Sequence, residues 1–196
     1  MTEDDAKEWM AARYDRSVVD RVTQFVEMVV AANDRQNLIS PASIATIWAR
    51  HVVDSAQLVA LGPDTGTWID IGTGGGFPGM IVALCRPGRT VMVEPRRLRA
   101  DFLADRIAAF RLENAIVMPA RIEAVAEPAA VISARAVASV GKLLHAARRC
   151  ATPTTRWILP RGRSSDDEPM IVGMFHVEQS VTDSSSRILL IDGVGS

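Results

Sequence analysis

Between residues 16 and 32 the apolar side chains Val18, Val22, Phe25, Val26 and Val29 recur every three or four positions, the period of a helix with one buried face. A second helix is expected to open at Ser40-Pro41, where a capping hydroxyl precedes a proline at the first helical position. It carries Ile44, Ile47 and Trp48 toward His51 and Asp54. Gly62-Pro63-Asp64-Thr65-Gly66 breaks the pattern. Beyond it the period changes. Trp68-Ile69-Asp70-Ile71 is a short, mostly apolar run of the kind found in sheets buried on both faces. A helix from Pro78, a strand at Val91-Met92-Val93-Glu94 and a helix over 96–111 follow, the last with Leu98, Phe102, Leu103, Ile107 and Phe110 inward. Strands at 115–118 and 131–134, a helix over 140–149 and a strand at 156–159 continue the alternation. This order predicts an α/β fold with a doubly wound, mostly parallel sheet. The segments 171–181 and 187–191, split by Asp183-Ser184-Ser185-Ser186, instead predict a C-terminal antiparallel hairpin at one edge. Residues 163–169 are short for a full crossover helix. The expected organisation is an N-terminal helical cap over 1–62 packed on a core over 63–196.

The chemistry concentrates in Asp70-Ile71-Gly72-Thr73-Gly74-Gly75-Gly76-Phe77-Pro78-Gly79, a strand-to-helix turn. There the backbone must tighten and leave bare main chain for a ligand. Glu94 ends the next strand 22 residues after Gly72, where doubly wound folds bind ribose hydroxyls. A phosphate-cradling loop needs Gly-Lys-Ser/Thr, and no lysine follows. A dinucleotide fingerprint wants glycine or alanine at the sixth position, which is Phe77. An acid two residues before the first glycine suits S-adenosylmethionine better, since that ligand has no pyrophosphate but has an ammonium for Asp70 to pair with. An ordinary tight loop is the bland alternative.

Composition narrows the class. No run approaches the roughly 20 apolar residues that span a bilayer. The start, Met1-Thr2-Glu3-Asp4-Asp5, has no secretory character. Cys85 and Cys150 form no CxxC pair, and only His51, His145 and His176 stand beside them in the inventory. The expectation is free thiols in a reducing cytoplasm and no metal site. A net charge of −1 conceals an asymmetry: residues 86–163 carry 15 bases, 14 of them arginine, against 6 acids. Such clustering points to a face for nucleic acid, against the alternative of a solvated surface.

The loop and its flanks resemble those of a known family. Asn37-Leu38-Ile39, Arg50-His51-Val52-Val53-Asp54-Ser55, the loop with its Phe-Pro-Gly ending, Arg121-Ile122-Glu123 and Arg135-Ala136-Val137-Ala138 are similar, in order and spacing, to blocks of the bacterial small-subunit rRNA guanine-N7 methyltransferases. These are also called the glucose-inhibited division protein B family. The resemblance spans about residues 20–192. It implies a class I (Rossmann-like) S-adenosylmethionine-dependent methyltransferase acting on N7 of a guanine in 16S ribosomal RNA, naked, in an assembly intermediate or in the small subunit. It places Gly72 and Phe77 at the cofactor, with Thr73, Gly74 and Gly76 in the same loop. Glu94 is implied at the ribose, Ile122 and Glu123 at the adenine end, and Arg135 beside the ligand. Arg161-Gly162 stands where the family usually has Lys-Gly, so a planar fork replaces a compact ammonium.

This inventory suits the reaction. Guanine N7 carries a lone pair and no proton, so attack on a sulfonium methyl needs alignment and electrostatics but no general base. Arg135 and Arg161 are the candidate catalytic groups. His51 and Asp54, three apart, read either as an acid–base pair or as a packing and capping pair. A cytoplasmic monomer is expected, with no membrane partner. A small-molecule methyltransferase and a non-catalytic ribosome-associated factor remain the competing classes.

Overall fold

A computed structural model describes residues 1–135, 139–162 and 174–194, with the side chains of Met174 and Phe175 set aside. Five parallel strands form its centre: β1 (Trp68–Ile71), β2 (Thr90–Val93), β3 (Ala115–Met118), β4 (Val131–Ala134) and β5 (Arg156–Arg161). With β6 (Met174–Gln179) and β7 (Arg187–Asp192) the sheet order is β3-β2-β1-β4-β5-β7-β6. The expected doubly wound sheet and terminal hairpin are therefore both present. β7 pairs antiparallel with β5 as well as with β6, so the last strand in sequence is the inner one. Residues 163–173, which include the crossover and the start of the expected strand at 171, lie outside the described residues.

All four residues of β1, β2 and β4 are buried, as strands covered on both faces must be. One face is covered by α4 (Gly79–Cys85), α5 (Arg97–Ala109) and the cap, and α6 (Val140–Ala146) packs on the other. The cap helices α1 (Glu3–Ala11) and α2 (Arg16–Gln36) share one apolar cluster with the core, in which Phe25, Val29 and Val52 meet Met80, Ile81 and Leu103. The cap thus has no separate core of its own in that cluster.

Two expectations need correction. The helix predicted from Ser40 is a broken one: a 3₁₀ segment (Pro41–Thr46), a π-helical turn (Trp48–Val53) and α3 (Asp54–Ala56). Ser40 caps nothing with its side chain; its carbonyl instead accepts from the Ser43 hydroxyl at 2.7 Å. The π turn is entered through a tertiary contact, because the Glu3 carboxylate accepts from Trp48 N–H (3.0 Å) and Ala49 N–H (2.9 Å). Leu98, expected inward, is 71% exposed at the start of α5, whereas Phe102 and Leu103 are buried as predicted.

Candidate active site

The C-terminal ends of β1, β2, β4 and β5 share one sheet edge, where ligands collect in such folds. The glycine loop leaves β1 there. Gly72, Gly74 and Gly76 take positive φ angles of 68°, 59° and 100°, which explains glycine at each. Their surroundings differ. A Cβ on Gly76 would stand 2.6 Å from Phe25, and one on Gly75 2.9 Å from the Leu38 carbonyl oxygen, so these two serve packing. A Cβ on Gly74 would meet nothing closer than 3.7 Å. From Thr73 to Met80 the chain is buried except at Gly74, and Gly72 is likewise half-exposed. The loop therefore offers bare, left-handed main chain at Gly72 and Gly74, and this open cradle fits a ligand lying on the backbone.

Glu94 sits beside it. Its carboxylate accepts from Gly74 N–H (2.9 Å) through Oε2 and from Arg96 N–H (2.8 Å) through Oε1, fixing the loop against the turn after β2. Each oxygen retains a further lone pair for a hydroxyl donor.

Asp70 departs from its expected role. It has no exposed surface, Oδ1 accepts from the Ser133 hydroxyl (2.7 Å), and Oδ2 accepts from Gly79 N–H (2.9 Å). Trp68 Nε1–H donates to the same Ser133 oxygen at 2.8 Å. Burial pushes the carboxyl up to about 6, against the hydrogen bonds that favour its charge. In this arrangement Asp70 ties the glycine loop to β4 and shows no exposed carboxylate surface at the cradle. Thr73 and Phe77 are also buried, the latter against Phe25 (ring centroids 5.5 Å) and His51 (5.0 Å). Ile122 is buried and Glu123 exposed in the 3₁₀ turn Ile122–Ala124 that follows β3.

Arg135 leaves the end of β4 and joins His51 to Asp54. Its guanidinium donates to His51 Nδ1 (2.8 Å), Asp54 Oδ2 (3.3 Å) and the Arg50 carbonyl (3.1 Å). An arginine only donates, so His51 Nδ1 must accept and Nε2–H donates to Ser43 Oγ at 2.9 Å. Burial, then the charges of Arg135 and Arg50, lower the His51 pKa to about 3. His51 is thus a neutral link, not an acid–base partner of Asp54. Burial raises the Asp54 carboxyl, partly offset by Arg135. Sequence reasoning missed Ser43, Glu3 and Gln57, which donates to Asp54 Oδ1 (3.1 Å) and accepts from Val181 N–H (2.9 Å). No local motif marks them; their contacts run across 3 to 124 positions of the chain. Arg161 ends β5 opposite Arg187, half-buried on the same edge, and burial lowers its pKa. Residues 136–138 of the Arg135 block lie outside the described residues.

The same architecture occurs in solved structures. A S-adenosylmethionine-dependent methyltransferase from Aquifex aeolicus superposes with a TM-score of 0.58 at 13% identity, covering 79% of this chain and 94% of that one. A MtNAS variant in complex with S-adenosylmethionine gives 0.61 at 16% identity, covering 98% and 84%. At these identities the likeness is one of fold, the class I Rossmann-like one. Sequence relatives are nearer. The Ribosomal RNA small subunit methyltransferase G of Erythrobacter litoralis is 43% identical over 197 residues, 96% of this chain and 95% of the relative. The protein of that name from Sphingopyxis alaskensis is 43% identical over 200 residues, 96% and 85%. The family model described as GidB, rRNA small subunit methyltransferase G, matches residues 19–176. With the family pattern spanning most of the chain and relatives matched over nearly their whole length, the chain belongs to the rRNA small subunit methyltransferase G family.

Proposed function

We propose that this protein transfers a methyl group from S-adenosylmethionine to N7 of a guanine in 16S ribosomal RNA. It acts as a cytoplasmic monomer on the small subunit or an assembly intermediate. The observation that carries this reading is the open backbone cradle at Gly74, beside half-exposed Gly72, joined by a hydrogen bond to the acid that follows β2. Bound there, the cofactor supplies a sulfonium methyl open to attack by a lone pair. Gly72 and Gly74 give its amino-acid portion bare main chain to lie on. The unused lone pairs of Glu94 accept its ribose hydroxyls, and Ile122 with Glu123 flank the adenine.

No side chain has to remove a proton from guanine N7, and His51 fits that requirement: it is neutral and its one free lone pair is spent on Arg135. Arg135 holds the cap against the edge where the base enters, and Arg161 adds positive charge beside it. What remains for the protein is alignment and exclusion of water.

Isotope-labelled S-adenosylmethionine incubated with naked 16S rRNA, an assembly intermediate and the mature subunit tests this. Label in 7-methylguanine at one position of at least one substrate is expected. Label only in a small molecule, or none with cofactor bound, would overturn it. Among the described residues no helix is long and apolar enough to cross a membrane.

A further inference from the structure

We propose that the start of α5, with the turn after β3, is a docking surface for ribosomal RNA, in which arginine forks hold phosphates around Leu98. The inference rests on the proposed function. Leu98 is the most exposed large apolar side chain among the described residues, at 71%. Its neighbours in sequence are Arg97 and Arg99, with Arg96 before them. Glu94 N–H donates to the Met118 carbonyl, so the turn after β2 starts beside the one after β3, which carries the exposed Arg121. The first turn of α5 contains no acid. The acids nearby are committed or outnumbered: Glu94 is buried on main-chain N–H groups, Asp101 pairs with Arg97 at 2.8 Å, and Glu123 is exposed.

Three arginines at the positive end of a helix oppose its dipole, and an anion laid across them relieves that conflict. Arginine forks match phosphate oxygens. An apolar side chain among them gives an unstacked base or a ribose a surface to pack on, a combination that suits folded RNA more than an acidic protein. Arg99 also donates to the Asn37 carbonyl at 2.8 Å, so it is left out of the variants below.

The test uses the double variant Arg96→Gln/Arg97→Gln and, separately, Leu98→Ser, with 16S rRNA transcribed in vitro as the probe. The double variant should bind at least about tenfold more weakly, with a log–log salt slope shallower by roughly 0.7–0.9 for each phosphate that is no longer neutralised. Leu98→Ser should raise KM for rRNA by about threefold to tenfold, leaving the salt slope and kcat unchanged. Thermal transition should match the parent in both, and cofactor affinity should match it in Leu98→Ser, whose side chain lies apart from the Arg96 contact to Glu94. Variants that bind rRNA with parental affinity and slope, from a parent that methylates it, would overturn the docking surface alone. So would a defect seen only with protein-bearing subunits, which would assign the patch to a protein. A parent that neither binds nor methylates any form of 16S rRNA would overturn the function and this surface together.

Discussion

At Glu94 two main-chain N–H groups and the proposed ribose meet on one carboxylate, so its loss acts twice. Hydrogen bonds to a charged group contribute about 1.5–3 kcal/mol, and Glu94→Ala should weaken S-adenosylmethionine binding by about tenfold to a hundredfold in calorimetric titration. A loss much below tenfold would place the ribose elsewhere. The glycines separate by surroundings. Gly74→Ala should cost only about 1–2 kcal/mol of stability, from its left-handed backbone, yet remove cofactor binding, because its Cβ enters the open cradle. Gly76→Ala should instead show as a lowered thermal transition, since Phe25 stands in the way. Asp70 gives a pH signature. Its folded carboxyl holds a proton up to about 6, above the ordinary value of 3.8, so it stabilises the fold fully below about pH 4. That contribution is lost as pH rises through 6. Denaturant titrations of Asp70→Asn should lack this part of the decline, and its cofactor affinity should stay within a few-fold of the parent. A large affinity loss would restore Asp70 as the ammonium partner. The residue's presence in the motif was legible from the sequence, but its burial under Ser133 and Gly79 depends on a strand 63 positions away.

Among the elements, the segment from Pro41 to Ala56 owes its shape to partners outside itself. Local signals at Ser40-Pro41 favour a regular helix, and they were overridden because Glu3 feeds the π turn while Arg135 holds its far end. α1 can deliver Glu3 because it is itself well started: Thr2 and Asp5 exchange side-chain and main-chain hydrogen bonds across its first turn. Arg135→Ala would leave His51 Nδ1 and Asp54 Oδ2 mostly buried without this donor. A loss of about 2–4 kcal/mol is expected in urea unfolding. Methyl transfer should fall by more than rRNA affinity does, because the cap is displaced beside the reaction edge. Equal losses in both would make Arg135 an RNA contact instead. The other elements followed their patterns closely, with α5 the instructive case. Helical period fixed its existence and its apolar face but not where the cover over that face begins, so Leu98, one turn before Phe102 on the same side, is exposed while Phe102 and Leu103 are buried.

For the whole molecule, charge placement matters more than its total. A chain of net charge −1 can bind RNA only through a local field, and the excess of bases over residues 86–163 is the candidate for it. Affinity for rRNA should fall steeply with salt through counterion release, while cofactor affinity should barely change over the same range. Filter binding and calorimetry across one salt series compare the two directly. A flat rRNA response would remove the arginine-rich segment from the interface.

By itself the sequence determined the alternation of strands and helices, the strand-to-helix glycine loop with Glu94 after the next strand, and the terminal hairpin. These rest on periodicity, on glycine's access to positive φ and on motif spacing, all local properties of a chain. Tertiary structure alone decided that β7 lies inside β6, that Asp70 faces inward, and that His51 and Asp54 meet on Arg135 instead of on each other. It also decided which of the loop glycines lies open to a ligand. Each of these depends on which distant groups arrive to satisfy a buried donor or acceptor, or to fill the space above a backbone. No pattern within a few residues carries that information.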